Sequence, residues 1–201
     1  MTATGQGKRL RHLRILRRVA EGIAALLTSA VLLLGGAYGI IQYGGNFHAV
    51  EPGTIYRSAQ LDAADLTHRL QDNGIRSILN LRGADPGEAW YEDERSVALA
   101  LGVRHIDCRL SATKPLTADQ MHEVLQLIEK APKPLLIHCQ GGADRTGLVS
   151  ALYLASRGES TQRVADALSV RYGHFPFAIW DGTQAMDDSL TLFLSEASAR
   201  P

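Results

Sequence analysis

HCQGGADRTG, residues 138–147, is the stretch on which the reading of this chain turns. An apolar run of strand character, residues 134–137, leads into Cys139, and a helical stretch from Arg145 to about Arg157 leads away. In such a layout the N–H groups of a short loop and of a helix N-terminus converge on one point, where the helix dipole also favours negative charge. Cys139 sits at that focus. A free thiol titrates near ~8.5, and helix N-termini with nearby Arg or His bring cysteines down to roughly 3.5–7.5. Arg145 adds a planar fork of donors matched to phosphate oxygens. The intervening residues Gln140, Gly141, Gly142, Ala143 and Asp144 form a loop long enough to wrap the three non-bridging oxygens of a phosphate. Its glycines let the backbone approach closely. The pattern implies a thiolate nucleophile set against a phosphate ester.

The 201 residues provide material for one domain with a substantial core. A formal charge of zero conceals an asymmetry: Lys8, Arg9, Arg11, Arg14, Arg17 and Arg18 precede the first acid, Glu21. Residues 22–201 then hold 15 Lys and Arg against 20 Asp and Glu, a net of −5. That acidic body argues against nucleic acid as a partner. Residues 22–50 contain no Asp, Glu, Lys or Arg, and 23–41 are dominated by Ala, Leu, Val, Ile and Gly. About 20 apolar residues in a helix match the ~30 Å hydrocarbon core of a bilayer. The expectation is a basic cytoplasmic tail (1–21), an uncleaved transmembrane anchor (22–43), a linker (44–53) and a catalytic domain (54–201). The chain is then single-pass in the inner or plasma membrane, with its domain periplasmic or otherwise outside the cytoplasm. A cleaved signal peptide ending near Gly35, Gly36 and Ala37 is the alternative. Cys108 and Cys139 are too few for a disulfide framework or a four-ligand zinc site.

Along the body, residues 54–58 read as a short strand. Asp62 caps a helix over 63–73 that Gly74 stops. Residues 75–81 and 103–108 read as strands, with a loop over 82–88 and a helix over 90–101 between them. Thr117 with Gln120 forms a capping box for a helix to about Lys130. Helical stretches over 161–172 and 182–198 follow the arginine helix. Strands alternating with helices predict an α/β fold, a mostly parallel central sheet flanked by helices.

The loop resembles the signature of the cysteine-dependent phosphatase superfamily, HCxxGxxR followed by Ser or Thr, with His138, Cys139, Gly142, Arg145 and Thr146 at the fixed positions. TIYRSAQL (54–61), ILNLR (78–82), AWYEDE (89–94) and HIDCRLSA (105–112) resemble a bacterial subfamily of compact, membrane-anchored dual-specificity tyrosine phosphatases, so that the likeness spans roughly residues 50–175. The resemblance implies hydrolysis of phosphate monoesters in two steps. Cys139 takes the phosphoryl group as a phosphocysteine, water then releases phosphate, and Arg145 with the loop amides of residues 140–143 stabilises the charge. It implies no metal and no organic cofactor. By the same resemblance Thr146 hydrogen-bonds the cysteine sulfur and His138 helps to hold the thiolate.

A leaving group also needs a proton from a carboxylic acid. Asp107, 32 residues before Cys139, is the first candidate, by its resemblance to the acid loop of dual-specificity enzymes. Asp144 is the rival, because myotubularin-like lipid phosphatases and bacterial tyrosine phosphatases that it resembles carry Asp directly before the loop arginine. Asp119 is better explained by a helix dipole. Arg57 and Arg82 end strands and either add positive potential beside the phosphate or pair with surface acids. Trp90 and Tyr91 either line an aromatic wall or pack on the sheet. Cys108 is a core residue or a redox partner of Cys139. Tyr172, Gly173 and His174 read as a helix ending without chemistry. The expected substrate is a phosphorylated protein, with a phosphoinositide-type lipid as rival. A phosphate-binding module with little turnover and a sulfur transferase are the readings from other classes.

Overall fold

The computed structural model describes residues 3–175 and 184–198. The chain separates into two units, residues 1–40 and 41–201. The described residues of the first belong to one helix, α1 (Ala3–Tyr43), where Arg17 Nε donates to Glu21 Oε1 at 2.7 Å on an exposed face. Gly22, Thr28, Ser29, Gly35, Gly36 and Gly39 are interspersed among its apolar residues. Among the described residues no helix is long and apolar enough to cross a membrane. The expected anchor over 22–43 is corrected by that finding, and with it the membrane as a partner, the single-pass topology and the periplasmic placement.

The second unit is built on five strands: β1 (His48–Glu51), β2 (Ile55–Ser58), β3 (Ser77–Asn80), β4 (Arg104–Asp107) and β5 (Leu135–His138). Their order is β1-β2-β5-β3-β4, with β1 antiparallel to β2 and the other three pairings parallel. All four residues of β5 are buried, as expected of a central strand covered on both faces. Its side chains alternate between two cores. Leu135 and Ile137 join the larger one with α4 (Ala118–Lys130), α5 (Asp144–Ser156), α6 (Thr161–Ala167) and α7 (Gln184–Ser198). Leu136 and Ile78 meet Leu66 and Leu70 of α2 (Ala63–Asp72) and Ala98 of α3 (Ala89–Ala100) in the smaller one.

Local signals hold where they are local. The Asp62 carboxylate accepts from Asp65 N at 2.8 Å, and the Thr117–Gln120 capping box is formed at the start of α4. Two segments differ from expectation. Residues 44–53 are not a linker: they carry β1, and Pro52-Gly53 turns the chain back into the hairpin with β2. With only Val50 of its four residues buried, this edge strand has little hydrophobic pattern to show. The helix over 161–172 breaks at Leu168 into α6 and a 3₁₀ turn, Val170–Tyr172. The carbonyl of Ala167 at that break accepts a hydrogen bond from Arg57 Nη1 at 2.6 Å.

In register, Ser58 of β2 and Asn80 of β3 flank His138, the last residue of β5. Open α/β sheets gather ligands at the carboxyl ends of such central strands, and Cys139 is the next residue.

Candidate active site

Cys139 leaves β5 with its backbone fixed by the sheet and is 3% exposed. The loop that follows is held from outside by its carbonyls: Gln140 O accepts from Gln60 N (3.1 Å), Gly141 O from Asn46 Nδ2 (3.2 Å) and Gly142 O from Arg57 Nη2 (2.7 Å). In a trans peptide C=O and the next N–H point in opposite directions. The N–H groups of Gly142 and Ala143 therefore turn to the face away from these donors. The helix α5 begins at Asp144 with no side-chain cap, which leaves its first-turn N–H groups to the same concavity. Gly142 adopts φ +67°, and a Cβ there would stand 2.6 Å from Ala59 N and 2.7 Å from Ser58 O, so only glycine fits.

The residue that positions the loop most directly is Arg57. It is 1% exposed, contrary to a surface arginine, and its guanidinium lies 3.9 Å from the centre of the Tyr172 ring. Burial pulls it down to about 10, while Tyr172 and Cys139 act the other way, so it stays a cation at neutral pH. Asn46, 1% exposed at φ +48°, joins Gly141 O to Tyr172 O (2.8 Å).

Arg145 donates through Nη1 to the carbonyls of Leu81 (3.2 Å) and Leu110 (3.5 Å). A guanidinium has five N–H donors in a fixed fork, and anchoring at one nitrogen aims the others. The guanidinium carbon of Arg82 lies over Trp90, 3.3 Å from the ring centre, and Arg82 Nη1 donates to Gln60 Oε1 at 3.1 Å. Burial lowers its proton affinity first and Arg145 lowers it further, whereas Asp85, Glu94 and Cys139 oppose them. Arg82, Arg145 and Cys139 thus share one electrostatic neighbourhood, and Trp90 is the platform of Arg82.

Behind the cysteine lies a buried acid that the sequence did not single out. Glu94 of α3, 2% exposed, receives His138 Nε2 (3.0 Å) and His105 Nε2 (2.7 Å) on Oε1 and Gln60 Nε2 (2.7 Å) on Oε2. Burial alone would raise its carboxyl, but the charge of His138 and these three donors outweigh burial and hold it well below the usual range. Gln60 passes the chain of bonds on to Arg82. Replacing Glu94 by leucine strands His138, His105 and Gln60 and is expected to destabilise the domain by about 3 kcal/mol, read from urea unfolding at neutral pH. A loss under about 1 kcal/mol would show the network to be dispensable. Because the folded-state value is depressed, the Glu94 contribution is present above ~4.3 and is lost as pH falls through that depressed value.

The two acid candidates sit differently. Asp107 ends β4, with β3 between it and β5, and both its oxygens accept: Asn80 Nδ2 donates to Oδ1 (2.8 Å) and Tyr91 Oη to Oδ2 (2.7 Å). That bond, with burial and the carboxylate charge, pushes the Tyr91 phenol up to about 12. Tyr91 therefore serves to pin Asp107. Asp144 stands directly before Arg145 with its side chain 36% exposed, and its Oδ1 lies 2.7 Å from Nδ1 of His174. Thr146 Oγ1 is buried and has no partner among the described residues, as has His138 Nδ1. Cys108 is a free thiol against the larger core, pushed up to about 11 by burial, so packing accounts for it.

The structure thus brings His138, residues 139–146 and Arg82 together, and adds Asn46, Gln60, Glu94, Tyr172, His174 and Asp187. Tyr172, Gly173 and His174 are not an inert helix ending. Tyr172 carries Arg57, Gly173 takes the left-handed φ of +86° that turns the chain, and His174 reaches Asp144. Only their contacts in the second unit mark them, with His174 buried and Tyr172 partly buried.

The fold is that of known phosphatases. TpbA of P. aeruginosa is 23% identical over 76% of this chain and 91% of its own, with a TM-score of 0.57. The core catalytic domain of the PP-IP phosphatase SIW14 from S. cerevisiae is 22% identical over 78% of this chain and 94% of its own, again at 0.57. TpbA in complex with pTyr superposes at 0.55, with 20% identity over 77% of this chain and 91% of its own. Likeness of this degree shows the fold. The family described as PTP-SAK, Swiss Army Knife protein, DSP-PTPase phosphatase domain, matches residues 45–188. With a match over most of its length and the cysteine loop in place, the chain belongs to this family of cysteine-dependent, dual-specificity-type phosphatases.

Proposed function

We propose that the chain hydrolyses phosphate monoesters through a phosphocysteine on Cys139, with phosphotyrosine and then phosphoserine or phosphothreonine on protein as substrates. The observation that carries this reading is the outward pinning of the loop carbonyls, which leaves amides, helix terminus and Arg145 facing one point beside Cys139. The thiolate displaces the alcohol from phosphorus, and water then attacks the S–P bond. Amides of residues 140–143 and Arg145 carry the charge in both steps. Arg82 adds positive potential, and Thr146 Oγ1, buried without a partner, supplies a hydrogen bond to the departing sulfur. Asp144 gives the proton to the leaving oxygen and later receives one from water. It is preferred to Asp107 on geometry: Asn80 and Tyr91 occupy both oxygens of Asp107, whereas His174 meets Oδ1 of Asp144 and the partly exposed side chain opens beside the loop. The complex of TpbA with pTyr supports an aryl phosphate. Arg82 next to Arg145 favours a second reading, a substrate with more than one phosphate such as a phosphoinositide, and the PP-IP phosphatase SIW14 lends it weight.

Rates of the full chain on phosphopeptides and on phosphoinositides, with acid quenching to trap the phosphorylated enzyme, test this reading. Phosphate is expected on Cys139, with phosphotyrosine peptides turned over fastest. Faster turnover of phosphoinositides selects the second reading, and the absence of a trapped thiophosphate ester rejects the intermediate. Asp144→Asn is expected to slow phenyl phosphate by about 10²-fold or more, and Asp107→Asn by much less.

A further inference from the structure

His174 is fully buried, yet both its ring nitrogens meet carboxylates: Nδ1 lies 2.7 Å from Asp144 Oδ1 and Nε2 3.1 Å from Asp187 Oδ2. A neutral imidazole has one N–H and one lone pair, whereas an ionised carboxylate only accepts. Two such contacts are satisfied together when the ring carries both protons. Among the described groups, the charges that face the ring are Asp144 from α5 and Asp187 from α7. Arg57 of β2 sits over Tyr172, two residues away, and Arg171 is exposed. Burial is the largest single influence and lowers His174, but the two carboxylates together overcome it and hold it above its ordinary value.

We infer that His174 is a positioning residue for the reaction: as an imidazolium bridging Asp144 to Asp187, it fixes the Asp144 carboxyl beside the loop and ties the proton donor to α7. The inference rests on Asp144 being the acid. Nδ1–H occupies Oδ1, so the exchanged proton belongs to Oδ2. The first step breaks the Oδ2–H bond and makes the alcohol O–H, leaving the carboxylate against the imidazolium. In the second step a water proton returns to Oδ2 as its oxygen bonds phosphorus and the S–P bond breaks, restoring the thiolate. Through both steps His174 keeps its two protons and Asp187 balances its charge. A cation bonded to a carboxyl favours the ionised form, so the loss of His174 is read in the alkaline limb of the rate.

The test is the pH profile of kcat/KM for phenyl phosphate with the full chain, together with an NMR titration of the His174 ring. His174→Gln is expected to move the alkaline limb up by about one pH unit, Asp187→Asn to move it the same way by less, and the wild-type ring to titrate above ~6.5. If both folded variants leave the limb where it was, or if the wild-type ring titrates at or below ~6.5, His174 only packs and the inference is overturned. The NMR arm decides even if a variant does not fold. Asp144→Asn separates the two levels. If it abolishes the limb while the His174 and Asp187 variants do not move it, this inference alone fails; if it leaves the limb intact, the reading of Asp144 fails and takes this inference with it.

Discussion

Cys139→Ser is expected to lower hydrolysis of an aryl phosphate by on the order of 10⁵-fold or more, as the loss of a nucleophile does elsewhere. A thiol is intrinsically nucleophilic and ionises readily, whereas a serine hydroxyl stays protonated without a base beside it. Among the described residues no such base is bonded to this position: His138 Nε2 is committed to Glu94, and Asp144 Oδ1 faces His174. The substitution spares the groups proposed to bind phosphate, because the loop is held through the carbonyls of residues 140–142 and Arg145 through Leu81 and Leu110. Inorganic phosphate should therefore bind the variant about as well as the wild type in calorimetry. Residual turnover above about one-thousandth of wild type, far more than a missing nucleophile allows, would place the nucleophile elsewhere. Retained turnover would also remove the basis for the phosphocysteine.

Arg145→Lys is expected to cost on the order of 10²–10³-fold in kcat/KM, with most of the loss in kcat. The charge is kept, so a purely coulombic role would leave the rate nearly unchanged. A guanidinium, however, is a rigid fork, and here one arm is tied to two backbone carbonyls, which fixes the orientation of the donors that the proposed mechanism sets against the phosphate. An ammonium on a flexible stem has no second arm to anchor. The charge that develops on the equatorial oxygens in the transition state then loses an oriented, bidentate partner. Steady-state kinetics separate the cases: a rise in KM alone would mean that Arg145 binds substrate without discriminating the transition state.

Both predictions concern residues that nine consecutive positions announce. In contrast, the residues that hold them come from far along the chain. Asn46 reaches Gly141 across 95 positions, Arg57 reaches Gly142 across 85, Glu94 reaches His138 across 44 and His174 reaches Asp144 across 30. None carries a periodic or spacing signal of its own. Arg57 and Trp90 look like surface and packing residues until β2 and α3 are placed. The anchor over 22–43 shows the opposite failure, in which a compositional window read a membrane span where no described helix is long and apolar enough to cross one.

The sequence by itself determined the strand–loop–helix unit at 134–157, the identities of Cys139 and Arg145, and the capped starts of α2 and α4. These follow from hydrogen bonds and dihedral preferences within a few residues, which any chain with those side chains satisfies in the same way. Only the tertiary structure decided which partners each candidate acid meets, which side chains pin the loop, and that His174 joins Asp144 to α7. Those outcomes depend on the strand order β1-β2-β5-β3-β4 and on the packing of α5 against α6 and α7. The long-range contacts close only after the sheet has fixed which distant segments become neighbours.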